Sequence, residues 1–149
     1  MNVEQLRVSK LRTYLLSIVK SINVNSKQIN INMLSDDINN YSLDKIPTSS
    51  TVEEYIDGTS LHRDVFSFRS RNSYSQDTIN NLEVAGFFEI FEKVIDSNNK
   101  EGILPEIEGI ESIECLNCGS ISNSTTKTAE FNIQIQIIYT LQNETILSL

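Results

Sequence analysis

Tryptophan is absent from this 149-residue chain, histidine occurs once, and cysteine and proline occur twice each. Each scarcity removes a class of function. A single imidazole, His62, rules out the paired histidines of His-Glu-x-x-His zinc enzymes. There is no Gly-x-Ser-x-Gly elbow and no glycine-rich phosphate loop among five glycines. Two cysteines without an export signal predict a reducing compartment, so the Asn-x-Ser/Thr triplets at Asn123 and Asn143 carry no glycosylation signal. No apolar run approaches a membrane span. The opening segment MNVEQLRVSKLRTYLLSIVK is interrupted by charge too often for a signal peptide or an anchor. Basic charge is also short: the formal net charge is −8 and the pI about 4.6. Such a surface repels phosphate, which argues against sequence-specific nucleic-acid binding.

What remains is an ordinary globular composition, 39% hydrophobic and 21% charged, long enough for one core-bearing domain over residues 1–149. Val8, Leu11, Leu15, Ile18 and Ile22 recur at helical spacing, with Asn2 and Gln5 in capping-box position and Asn23 and Asn25 at the end. The stretch SKQININMLSDDINNYS is polar and ambiguous between a short strand and a helical turn. YSLDKIP, TVEEYID and SLHRDVFSFRSR read as strands, the last two joined at Asp57-Gly58, where glycine supplies the positive φ of a tight turn. Ser75 or Asp77 caps a second helix whose Val84, Phe87, Phe91 and Val94 share a face widened by Phe88 and Ile95; Asn98, Asn99 and Gly102 stop it. LPEIEG reads as a loop, IESIECL as a strand and NCGSISNSTTK as a turn-rich connection. In AEFNIQIQIIYTL, Phe131, Ile133, Ile135 and Ile137 alternate with Asn132, Gln134 and Gln136, so one sheet face is dry. The expected fold is α+β, in the order α-β-β-β-α-β-β: a mostly antiparallel sheet of four to five strands with two helices packed on one face.

Three motifs invite chemistry. His62-Arg63-Asp64 is the triplet of a kinase catalytic loop, but Arg69 stands where that loop needs its metal-holding asparagine, and no Asp-Phe-Gly follows. Alternation explains it: His62, Asp64, Phe66 and Phe68 on one side, Arg63, Val65, Ser67, Arg69 and Arg71 on the other. The arginine row is either a solvated face paired with carboxylates such as Glu53, or a contact for an acidic partner or a second copy. Cys115 and Cys118 form half of a zinc ribbon without a second half, and no helix follows to lower a thiol pKa, so free thiols are expected. Adjacent carboxylates such as Asp36/Asp37 and Glu53/Glu54 point apart. No catalytic, cofactor or metal residue is assigned, although a hydrolase using carboxylates alone, or a ligand-binding module, stays open.

From Tyr55 onward the chain resembles a known family. The YIDG turn (Tyr55, Asp57, Gly58) and the FSFRSR strand (Phe66, Phe68, Ser70, Arg71) carry the likeness. So do Tyr74, Asp77, Gly86 and Phe87, then Leu104-Pro105 and the last strand ending at Tyr139. Together they resemble the tail terminator proteins of tailed bacteriophages, also described as minor capsid or tail completion proteins. The CLNC pair and the stretch 23–40 depart from that pattern. The resemblance implies a structural subunit and no enzyme, located in the virion tail at the head junction after assembly in the bacterial cytoplasm. It would form a homo-oligomer, a hexameric ring on the tail tube. Its partners would be the tube protein, the sheath protein where there is one, and the head-completion or connector protein. A head-side adaptor is the related alternative. The interface residues expected are Arg63, Arg69, Arg71, Tyr55, Asp57 and Tyr74.

Overall fold

The computed structural model describes residues 2–48, 51–73, 78–117, 120–124 and 128–142. Tyr74, the Ser75 or Asp77 cap and Cys118 lie outside them, as does the side chain of Val84. A 3-10 turn, Val3–Gln5, precedes α1 (Arg7–Ile22); then come β1 (Ile29–Ile31), β2 (Asn40–Ile46), β3 (Thr51–Glu54) and β4 (Ser60–Ser73). α2 (Thr78–Glu101), β5 (Ile110–Cys115), β6 (Ser120–Ser124) and β7 (Thr128–Leu141) complete the chain. The class is α+β, as the periodicities imply.

The sheet departs from the expected one in strand count and in one pairing. Among the described residues it has seven strands, ordered β1-β2-β4-β7-β5, with β3 on β4 and β6 on β7. The long antiparallel pair β4–β7 runs in register from Ser60↔Leu141 to Ser73↔Thr128 and forms its axis. β2 and β3 share the other edge of β4: β2 pairs with Val65–Arg71 and β3 with Ser60–His62. β5 and β6 share the other edge of β7 in the same way. Both outer strands are thus long strands broken in the middle, at Pro47, which cannot donate to a ladder, and around Leu116–Asn117. The turn-rich connection NCGSISNSTTK therefore contains a strand, β6. The ambiguous stretch contains β1, which pairs with β2 in parallel, Ile29↔Tyr41 to Ile31↔Leu43. Its return loop is bracketed by Asn32 and Asn39 at φ of 56° and 63°, a region asparagine tolerates better than other side chains.

At the N-terminus the Asn2 side chain caps the 3-10 turn by accepting from the Glu4 amide, 3.1 Å away. Leu6 is extended, so α1 begins only at Arg7. α2 ends as the sequence predicts: Gly102 (φ 76°) stands just past it, and the Ile103 amide donates to the Asn98 carbonyl at 2.8 Å, a Schellman stop.

One core lies between the helices and one sheet face. Leu11, Leu15, Ile18 and Val19 of α1 and Phe87, Phe88, Phe91 and Ile95 of α2 meet Tyr41, Leu43, Phe66, Phe68, Ile113, Ile133, Ile135 and Ile137. Aromatic rings stitch the layers together. Phe91 stacks on Phe68 at 5.3 Å, Phe68 on Tyr41 at 5.4 Å, and Phe88 on Phe131 at 5.5 Å.

Candidate functional site

Tyr74 lies outside the described residues, and the other five expected interface residues do not form one patch. Arg63, Arg69 and Arg71 project from the helix-free face of β4, opposite Ile138, Asn132 and Glu130 of β7. Tyr55 and Asp57 sit on the β3–β4 turn, and Arg69 stands nine residues along β4 from its first residue, roughly 30 Å away.

Arg69 is occupied within its own sheet. Its Nε donates to Asp44 of β2 and its Nη1 to Glu130 of β7 at 2.8 Å, while Nη2 reaches Ser42 Oγ at 3.5 Å. Burial pulls its pKa down, but the bonds to Glu130 and Asp44 outweigh it, and the net shift is upward. The carboxylates are supplied by the two direct neighbours of β4. Glu53, the partner expected from the sequence, stands opposite Leu61 at the other end of the strand. Arg71 Nε points to the Ser35 carbonyl at 3.4 Å, and the Met33 amide donates to Ser42 Oγ at 2.9 Å, so the 32–39 loop covers part of this face. Removing the Arg69 guanidinium would leave two carboxylates facing each other with little water. Arg69→Gln is therefore expected to cost about 2 kcal/mol, between the value of exposed and buried pairs. Arg71→Gln should stay within about 0.5 kcal/mol. Urea denaturation of both variants checks this.

The turn is different. Asp57 Oδ1 accepts from the Thr59 amide at 3.0 Å and from Thr59 Oγ1 at 2.7 Å, which lowers the Asp57 pKa. Gly58 takes φ of 91° and its amide donates to the Tyr55 carbonyl. The Tyr55 pKa is raised, first by desolvation and then by the carboxylates of Glu53, Glu111 and Asp57. Around this acidic tip, Val52 is 50% exposed, Tyr55 42% and Ile56 fully exposed.

A third cluster was not singled out from the sequence. Asp64 lies on the helix-covered face of β4 and is buried, with two cationic side chains beside it. Arg7 Nε donates to its Oδ2 at 3.4 Å, Lys45 Nζ lies 3.6 Å from Oδ1, and the Tyr139 hydroxyl donates to Oδ1 at 3.1 Å. The Arg7 guanidinium also sits 4.4 Å from the centre of the Tyr139 ring, which stacks on His62 at 5.7 Å. The His-Arg-Asp triplet is thus a strand segment whose aspartate fastens the start of α1 to the sheet. The available signal was an aspartate in the apolar register of His62, Phe66 and Phe68, because a carboxylate there needs cationic partners. Burial pushes the Tyr139 pKa up to about 12. The neutral phenol is favoured in the folded state. Its contribution is complete below the ordinary tyrosine pKa near 10 and declines as pH rises from about 10 to 12. Tyr139→Phe should remove that part of the alkaline destabilisation, read by urea midpoints between pH 9 and 11.5.

Cys115 is a free thiol whose pKa is pushed up to about 12, chiefly by burial and then by Glu92, Glu114 and Asp96. It is a poor nucleophile at neutral pH. Among the described residues no three His, Cys, Asp or Glu side chains are grouped to hold a metal ion, and no helix is long and apolar enough to cross a membrane.

No protein-family model matches the chain, and no curated protein matches it.

Proposed function

We propose that the chain is a structural subunit of a phage or phage-tail-like particle: a tail terminator. Copies of it, six by the family resemblance, close into a ring on the distal end of the tail tube. The ring ends tube polymerisation and presents the surface to which the head-completion protein attaches. The observation that carries this reading is the β3–β4 tip, where Val52, Tyr55 and Ile56 are left in water at the end of the sheet. Apolar side chains grouped at a protruding turn are what a protein–protein contact buries. The helix, strands, helix, strands order and the YIDG and FSFRSR segments support it. So does the acidic balance, because a ring through which DNA passes is served by walls that do not hold phosphates. A closed ring needs two different patches per copy.

Electron microscopy of particles made without this gene tests the reading. Overlong tails without heads are expected. Tails of normal length without heads would refute it in favour of a head-side adaptor. Normal particles would refute both.

A further inference from the structure

A cleft of about 390 Å³ opens between the start of α1 and strands β1, β2 and β4, a size common to small-molecule sites. Its floor is apolar: Leu43 and Phe66 line it and are almost wholly buried in the core. Leu6, Val8 and Ile31 form its walls. Leu6 and Ile31 are 38% and 42% exposed, so each keeps apolar surface in water that an occupant would cover.

The charged lining is gathered in one cluster. Arg7, Lys45 and Asp64 belong to it, and no other charged side chain lines the cleft among the described residues. Arg7 Nε lies 3.4 Å from Asp64 Oδ2, and Lys45 Nζ lies 3.6 Å from Oδ1. Both contacts are long for charge-assisted bonds, and one carboxylate shared between two cations leaves one positive charge in surplus. The Arg7 guanidinium is held in place over the Tyr139 ring, while its two Nη nitrogens have no hydrogen-bond partner among the described residues. Donors fixed beforehand lose little freedom when a ligand arrives.

This combination selects the occupant. One surplus positive charge beside apolar walls suits a single negative charge on an apolar body. A cationic ligand is repelled by Arg7 and Lys45. A phosphate dianion brings a second negative charge up to the Asp64 carboxylate and leaves the walls uncovered. The planar fork of a guanidinium, in turn, matches the two oxygens of a carboxylate.

We propose that this cleft binds an aliphatic monocarboxylate, its carboxylate held by Arg7 and Lys45 and its chain laid on Leu43 and Phe66 between Leu6 and Ile31. The proposal makes no use of the ring reading, which tail length in the gene deletion decides separately.

Isothermal titration calorimetry of the full chain with sodium octanoate at neutral pH, well below micelle formation, should show one site. Octan-1-ol has the same chain without the charge and should bind at least roughly tenfold more weakly, the effect of losing a hydrogen bond between charged groups. Two variants alter exposed side chains: Lys45→Gln removes a cation, and Ile31→Asp puts a negative charge on the wall. Circular dichroism establishes that each is folded. Each should weaken octanoate binding at least roughly tenfold, whereas Lys45→Arg, which keeps the charge, should stay within about threefold of the unaltered chain. Octanol binding as tightly as octanoate would overturn the proposal on the unaltered chain alone. So would octanoate affinity left unchanged in either weakening variant, because the ligand would then sit elsewhere. Inorganic phosphate displacing octanoate at equal concentration would make this a general anion site, and the proposal falls. Neither heat nor a rise in thermal midpoint at millimolar octanoate would dismiss it as well.

Discussion

Phe91→Ala is expected to lower the stability of the fold by about 4 kcal/mol, within the range for emptying a buried aromatic site. Phe91 has no exposed surface and lies where α2 presses on the middle of the sheet. Its ring stacks on Phe68 at 5.3 Å and lies 6.3 Å from Phe87, and Phe68 in turn stacks on Tyr41. Truncation removes the transfer free energy of the ring and leaves a hole bounded by two other aromatic rings, which cannot collapse into it without moving β4 and α2 together. A domain of this size holds about 5–15 kcal/mol in all, so the loss is a large part of the total. The thermal midpoint should fall by roughly 8–16 °C. Phe91→Leu keeps most of the volume and should cost about 1.5 kcal/mol. If Phe91→Ala cost less than the leucine variant, α2 would not rest on the sheet as described. Urea unfolding of both variants, followed by circular dichroism, measures the difference.

The ease with which α2 and β7 are read from sequence has the same cause as that loss. Their side chains repeat with the period of the backbone because one face of each is covered along its full length. Phe87, Phe91 and Ile95 follow the helix, and Phe131, Ile133, Ile135 and Ile137 follow the strand. β1 and β6 carry no such pattern. Three residues of β1 bury Ile29 alone, and its pairing depends on a loop between Asn32 and Asn39 whose positive φ values leave no periodic trace. Serine and asparagine dominate β6, so its local signal is that of a turn; it is a strand because it pairs with the edge of β7. Tertiary context decides both cases. The candidate site divides the same way. The Asp57-Gly58 turn is local chemistry and was legible. The arginine row was legible as a row, but its partners were not. Asp44 and Glu130 come from strands that no local rule places on either side of Arg69. The Arg7–Asp64–Tyr139 fastening spans most of the chain and follows only from the register His62↔Tyr139.

Gly109 and Gly102 make a pair that separates two costs usually measured together. Both take positive φ, 77° and 76°, which an alanine enters at a cost of about 1–2 kcal/mol. Alanine also returns about 0.5 kcal/mol by restricting the unfolded chain. At Gly102 a Cβ would meet open space, so Gly102→Ala should destabilise by about 1 kcal/mol and no more. At Gly109 the same Cβ would overlap the carbonyl oxygen of Thr140. That oxygen belongs to backbone, and the Thr140 amide donates to the Gly109 carbonyl at 2.8 Å, so the two segments are already joined. Relief would require β5 and β7 to separate where the bulge between Ile110 and Ser112 begins their pairing. Gly109→Ala should therefore cost about 3 kcal/mol or more, strain and overlap combined. The excess over Gly102→Ala, read from urea midpoints of the two variants, measures the overlap itself. Equal losses would mean that the loop before β5 does not lie against the end of β7. The acidic tip would feel that change as well, because Glu111 follows Gly109 by two residues and acts on Tyr55.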